Sequence, residues 1–483
     1  VTTAVRVVIV GAGFAGIAMG VRLTQRGMTD FVILERAGEV GGTWRDNTYP
    51  GAACDIRSDL YSFSFAPNPD WQYSYGRQAE ILDYLRATAD RFELRPHIRF
   101  GTEFTGAQWD GAAWQVTTSG DSFTASVLIS GHGPLVEPVW PAIPGLETFA
   151  GAAFHSARWD HDVDLVGKRI AVIGTGASAI QFVPELQKIA GHLTVFQRTP
   201  PWILARGDKP TTARRRRLFG RFPALQRAAR WFAFTSNEVK FAGFRFRPIG
   251  AVTQLVSRSF LRSKIADPVL RSKLTPDYRI GCKRVLLSDS FYPAIARPNV
   301  TLVPDAAVEI AGSTITAADG ERREFDVLIC GTGFNATAPS IARLIRDADG
   351  SSLASRWSPH MAALRGTTVA GFPNLFLLIG PNTALSHNSM IYMIEAQVAY
   401  VVQAFDLLDA GTRVIEARED AEHRYNEKLQ REFGPSVWMA GGCTSYYIDA
   451  AGRNTALWPH LARTFARAVR RFDTAEYELT TAR

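Results

Sequence analysis

Residues 6–16 read RVVIVGAGFAG and residues 169–179 read RIAVIGTGASA, two copies of one pattern in a chain of 483 residues. Each copy is a short β-branched strand that runs into a glycine-rich turn and then into a helix. The glycine positions have separate physical duties. Gly11 and Gly174 permit the tight turn, while Gly13 and Gly176 let a pyrophosphate approach the backbone. Gly16, or Ala179 in the second copy, lets helix and strand pack closely. The N–H groups at the start of the following helix are then free to bind phosphate. A single G-x-G-x-x-G is weak evidence, because glycine turns are common. A repeat with matched context is stronger.

The context does match. In the first copy a second strand, residues 31–34 (FVIL), ends at Glu35, and in the second copy residues 193–196 (LTVF) lead to Arg198. Both residues stand 24 positions after the first glycine of their motif. An acidic side chain there accepts hydrogen bonds from ribose hydroxyls. A carboxylate would repel a 2′-phosphate, whereas a guanidinium grips one bidentately. The first site therefore suits FAD and the second suits NADPH over NADH. Two such sites imply hydride transfer from nicotinamide to flavin, with oxygen as the obvious final electron acceptor.

Bulk properties narrow the class. With 46% apolar and 21% charged residues the chain reads as an ordinary globular protein, and its length implies two or three domains. No run of eighteen apolar residues suggests a membrane span, and the first apolar stretch reads as a strand rather than a signal peptide. Cys54, Cys282, Cys330 and Cys443 form no C-x-x-C pair, which argues against a redox dithiol or a zinc site. Free thiols in a reducing cytoplasm are the expectation. The net charge of +8 is concentrated. Residues 206–279 carry 18 Lys/Arg against four Asp/Glu, a local +14, leaving −6 for the remainder.

Further motifs identify a family. Residues 149–160, FAGAAFHSARWD, fit F-x-G-x-x-x-H-x-x-x-W-[P/D] through Phe149, Gly151, His155, Trp159 and Asp160. Residues 42–55, GTWRDNTYPGAACD, fit G-x-W-x-x-x-x-[F/Y]-P-G-x-x-x-D through Trp44, Tyr49, Pro50, Gly51 and Asp55. In both patterns the chain resembles the Baeyer–Villiger monooxygenases, the class B flavoprotein monooxygenases, from Gly11 to about Tyr477. The resemblance implies FAD, NADPH and O2 as reactants. It also implies conversion of a ketone to an ester or lactone through a C4a-peroxyflavin and a Criegee intermediate. The alternative is N- or S-oxygenation by a related flavin-containing monooxygenase, whose similar pattern usually lacks the Trp. An electron-transferring reductase and a non-catalytic binder are the remaining classes.

The resemblance also assigns roles. It places Arg284 of the GCKR stretch, residues 281–284, over the flavin and has Asp55 orient it. Lys283 becomes a contact to the 2′-phosphate, and Thr199 of FQRTP (196–200) a hydroxyl donor beside Arg198. Thr43 and Trp44 fall on the FAD side. His155 helps to seat the NADPH domain and is not a catalytic base. DVLICGTG (326–333) and FPNLFLLIGPN (372–382) resemble strands leading back to the FAD domain. Two departures stand out: His132 occupies a position where Thr is usual, and Tyr446 one where Trp is usual.

The expected fold is α/β, with two Rossmann-like dinucleotide-binding domains and a mainly helical insertion. The FAD domain takes residues 1–145 and 365–483, the NADPH domain 146–205 and 285–364, and the insertion 206–284. The insertion holds breakers at Pro223, Pro248 and Pro268, the run of four arginines at 214–217, and many aromatics. Nucleic-acid binding would need a recognisable module, and none is seen. Peripheral membrane contact is a second reading. The favoured one is a solvated basic face over a hydrophobic wall of the active site, whose lining includes residues 386–393.

Overall fold

The computed structural model describes residues 2–481. Two sheets, one mixed and one wholly parallel, carry the two glycine motifs. The first sheet has eight strands. Its central strand, Thr2–Val10, lies between Phe31–Leu34 and Ser122–Ser130, parallel to both. Beyond Ser122–Ser130, the strands Trp114–Thr118 and Phe104–Trp109 extend the sheet antiparallel. Val7, Val8 and Ile9 are fully buried, as a strand covered on both faces requires. The second sheet runs Val300–Val303, His192–Phe196, Arg169–Ile173, Val327–Cys330, Ala152–His155, all parallel.

In both sheets the strand before the glycine turn has its sequence neighbour on one side and a later strand on the other. That reversal of strand order opens a crevice at the carboxyl ends of the strands, where dinucleotides bind. Close packing of helix on strand is enforced at Gly16. A Cβ there would stand 1.8 Å from the Gly11 carbonyl oxygen. The α/β class, with two Rossmann-like units and a helical insertion, is the architecture the chain adopts.

The insertion leaves and re-enters through a two-stranded parallel clamp, Ile203–Leu204 against Leu286–Leu287. Between them lie the helices Ala213–Arg221, Pro223–Lys240, Ala242–Arg245, Arg247–Lys264 and Pro268–Lys273. The three prolines start helices rather than interrupt them, each within the first two helical positions. Thr212 caps the first helix through Arg215 N–H, and Asp267 caps the last through Val269 and Leu270 N–H.

The return to the first sheet comes earlier than residue 365. Ile345–Arg346 already pairs with Ala107 and Gln108 of that sheet. Ile341, Leu353, Trp357 and Met361 pack in one core with Trp109 and Trp114. The upper limit of 364 for the NADPH unit is corrected on this ground. The motif 326–333 ends a strand of the second sheet, and the short elements that follow carry no sequence signal strong enough to assign them.

One helix, Met390–Asp409, is long and apolar enough to cross a membrane. It packs instead on the first glycine helix, sharing a core with Ile17 and Val21 through Ile394, Val398 and Val401. Gln397 at its middle donates to the carbonyls of Gly366 and Leu377.

Candidate active site

The first crevice lies at the carboxyl ends of the first sheet's strands, beside the first glycine motif. Gly11, Gly13 and Gly16 form the turn and first helical residues, and the helix Phe14–Gln25 has no side-chain cap over its first turn. Its leading N–H groups are therefore available to an anion. Glu35 is 4% exposed at the end of its strand. Its Oε2 accepts from Ala12 N–H (3.0 Å), and its Oε1 accepts from Ala37 N–H (3.0 Å) and pairs with Arg45 (2.8 Å). The carboxylate is thus fixed, and Oε2 keeps a lone pair for a ribose hydroxyl. Thr43 and Trp44 open the short helix Thr43–Asp46, and the Trp44 indole donates to Tyr61 Oη at 3.0 Å. This donor set fits a dinucleotide carrying no 2′-phosphate.

The second crevice differs in charge. Gly174 and Gly176 make its turn, and Ala179 starts the helix Ala179–Gln187. Arg198 is exposed just past the strand His192–Phe196, and the Thr199 carbonyl accepts from Thr175 Oγ1. Lys283 converges on the same place from the end of the insertion. Burial, and then the Arg198 guanidinium, hold its ammonium below the usual lysine range. Two cations set close together repel one another, and a phosphate dianion bound between them relieves that repulsion. The residues fit a 2′-phosphorylated nucleotide.

Between the crevices runs the segment 42–55, which acts as a strap. Gly51 has φ +79°, and a Cβ there would stand 2.8 Å from the Gln181 carbonyl oxygen. Gln181 belongs to the helix of the second glycine motif. Its amide donates to the Ala53 carbonyl (3.0 Å) and accepts from Ala53 N–H (3.1 Å) and Tyr49 Oη (3.2 Å). The strap, anchored in the first unit, is therefore docked on the second, and its last residue is Asp55.

Asp55 meets Arg284 across 229 positions of sequence, Nε donating to Oδ2 at 2.8 Å and Nη2 lying 2.6 Å from the same oxygen. Nη1 points to the Leu385 carbonyl at 3.4 Å. The Asp55 charge raises the pKa of Arg284 still further, so the group is a permanent cation. Buried Tyr447 stands close by, its phenol pushed well above the usual value by burial and then by Tyr446, whose hydroxyl donates to its own at 3.1 Å.

The expectation of four free thiols is corrected here. Cys282 and Cys443 form a disulfide, joining the residue before Lys283–Arg284 to the loop that bears Tyr446 and Tyr447. Cys54 and Cys330 are free and buried, and burial raises the Cys330 thiol to about 12. The two partners stand 161 positions apart, so spacing along the chain carried no sign of the pairing.

Residues 8–214 match the family described as pyridine nucleotide-disulphide oxidoreductase. The chain is 49% identical to a Baeyer–Villiger monooxygenase of Streptomyces coelicolor, over 98% of this chain and 92% of that protein. The chain belongs to the Baeyer–Villiger monooxygenases. A second relative bearing that name, from Pseudomonas aeruginosa, is 46% identical over 99% of this chain and 92% of its own length. The solved structure of an oxidized steroid monooxygenase bound to NADP superposes with a TM-score of 0.88 at 30% identity, covering 99% of this chain and all of that one.

In this monooxygenase His155 is set apart from the Asp55–Arg284 pair. It ends the edge strand of the second sheet, with Trp140 and Phe334 as ring neighbours. It is 1% exposed, and burial, then Arg158, lower its pKa to about 4. Its Nδ1 accepts from Ala157 N–H, so the neutral ring carries its proton on Nε2, which has no partner. A neutral, buried imidazole is suited to positioning and unsuited to acid catalysis at neutral pH.

Two contributors escaped the sequence reading. Gln181 offered no signal, being one polar residue on a helix. Glu238 offered one: it is the sole acidic residue between Asp208 and Asp267, in the most basic stretch of the chain. The structure buries it against residues 386–393, where His387 Nε2 (3.2 Å) and Asn388 Nδ2 (2.9 Å) reach its Oε1. Ala462 and Arg463 N–H groups add two further bonds. Burial alone would raise its pKa, but the bonds from His387, Asn388 and Arg463 bring it below the usual glutamate value. Glu238 thus latches the helix Pro223–Lys240 to the C-terminal part of the molecule.

Proposed function

We propose that oxygen transfer in this monooxygenase depends on Arg284, held in place by Asp55. The enzyme converts ketones to esters or lactones, consuming NADPH and O2. FAD and NADPH are its cofactors. Bound FAD, reduced by NADPH, supplies the activated oxygen. The first crevice, with Gly11, Gly13, Gly16, Glu35, Thr43 and Trp44, is assigned to FAD. The second, with Gly174, Gly176, Ala179, Arg198, Thr199 and Lys283, is assigned to NADPH, and His155 supports it from the sheet edge. On this assignment the first sheet and the C-terminal segment make up the FAD domain, and the second sheet the NADPH domain.

The observation that carries the reading is the two-point contact of Asp55 with Arg284. It fixes the plane of the guanidinium and leaves its cationic character intact. A fixed cation stabilises negative charge where it builds up on oxygen during attack on a carbonyl, with no reorganisation at the moment of reaction. Its pKa is too high for it to protonate that oxygen readily. This favours a nucleophilic oxygen and attack on ketones over N- or S-oxygenation. The substrates are a small-molecule ketone and O2, with no nucleic acid involved. A cytoplasmic location belongs to the same proposal and rests on the demand for NADPH.

The test is Arg284→Ala. NADPH should still bleach the flavin, while ester or lactone falls by about a hundredfold to a thousandfold, the scale seen when one charge-stabilising group is removed. Product formation at the parent rate would overturn the assignment.

A further inference from the structure

The two long helices of the insertion are amphipathic the wrong way round for a helix that simply packs on a core. On Pro223–Lys240 the buried residues are Gln226, Ala233, Asn237 and Glu238. On Arg247–Lys264 they are Gly250, Ser257 and Leu261. Leu261 and the half-buried Phe234 and Phe260 turn inward, but most of the other large apolar side chains point outward. Leu225, Phe232 and Val239 recur every seventh residue along one face of the first helix, 45%, 69% and 69% exposed, with Trp231 beside them at 67%. Val252 and Val256, four apart on the second helix, are 60% and 55% exposed. A single exposed apolar side chain needs no explanation, but outward apolar stripes on both long helices of one insertion mark a surface that meets something.

Charge identifies the occupant. The stripes lie within the +14 segment, and among the described residues only Arg215 and Arg230 of its 18 cations pair with a carboxylate. Arg221, Arg227, Arg247 and Arg258 flank the stripes, exposed and without an ion pair among the described residues. A second copy of this chain would bring a like-charged surface against this one, which opposes association. An anionic bilayer does the reverse. Aromatic and aliphatic side chains enter the headgroup boundary, arginine stems lie along it, and each guanidinium gains attraction to anionic lipid. We propose that the outward faces of Pro223–Lys240 and Arg247–Lys264 bind reversibly to an anionic phospholipid surface. No spanning segment is required, since the helix Met390–Asp409 is packed inside the first unit.

The experiment is co-flotation of the FAD-loaded enzyme with phosphatidylcholine vesicles made with or without phosphatidylglycerol. Alongside it run light scattering across protein concentrations and the double variant Trp231→Ser, Phe232→Ser. The expected result is capture only by anionic vesicles, release by salt, and binding about tenfold weaker in the double variant, as loss of two interfacial aromatics should give. Flavin content and NADPH oxidation should be unchanged in that variant, which separates a surface effect from misfolding. Equal recovery with and without phosphatidylglycerol, or undiminished capture of the double variant, would overturn the proposal. So would a concentration-dependent dimer that the double variant abolishes, which would make a second copy the occupant.

Discussion

Lys283 and Arg284 are neighbours in the chain with opposite surroundings. Burial and Arg198 bear on Lys283 and lower its pKa, whereas Asp55 bears on Arg284 and raises it. The two side chains face different partners, Arg198 and Asp55, so on the proposed assignment one dipeptide serves both the nucleotide phosphate and the reacting centre. Arg198→Gln separates the two duties. It should raise KM for NADPH by about tenfold to a hundredfold with kcat little changed, because a bidentate phosphate contact acts on binding rather than on the transition state. The ratio of NADPH to NADH efficiency, measured by steady-state kinetics, should fall by the same factor. At this scale the sequence was informative where chemistry is tied to a fixed offset. Glu35 and Arg198 were legible because 24 residues after the glycine is a geometric consequence of one strand–helix–strand unit. Gln181, Cys443 and Glu238 act through partners far away along the chain, and nothing local to them names those partners.

Among the elements, the strap explains why a long pattern in residues 42–55 is needed to deliver one carboxylate. Tyr49 and Gly51 seat it on the helix of the second crevice, and Asp55 follows at the end. Gly51→Ala would force a side chain into a left-handed backbone conformation and against the Gln181 carbonyl, at a cost of about 1–3 kcal/mol. The expected outcome is a lower thermal midpoint together with more hydrogen peroxide and less ester per NADPH consumed, read by product analysis beside NADPH loss. The insertion teaches a different lesson. Its helical character and its three prolines could be read from sequence, since Pro at a helix start is tolerated and informative. Which face turns inward could not. Apolar periodicity normally points to the core, and here the core side is chosen by Glu238 and its partners.

For the molecule as a whole, His155 couples the edge of the second sheet to pH. Its folded pKa of about 4 lies below the unfolded value near 6.5, so the unfolded chain binds more protons between those limits. Stability therefore falls as pH drops from 6.5 toward 4, by about 3 kcal/mol for this group, and is unaffected by it above 6.5. His155→Gln removes that titration, and the thermal midpoint of the variant should decline less steeply than that of the parent across this range. An unaltered slope would show that other groups set it. The division into two nucleotide units was legible from the repeat itself. The crossing back to the first sheet was not, because Ile345–Arg346 is a two-residue strand with no pattern of its own.

The Cys282–Cys443 bond closes a covalent ring through residues 283–442, which takes in the later strands of the second sheet and the long helix Met390–Asp409. A ring of that circumference removes chain entropy from the unfolded state worth about 5 kcal/mol. It makes two stretches of chain drawn from different units into one topological object. A protease that cuts once inside the ring opens it without releasing a fragment, so the nicked enzyme keeps its mass until the disulfide is reduced to two thiols.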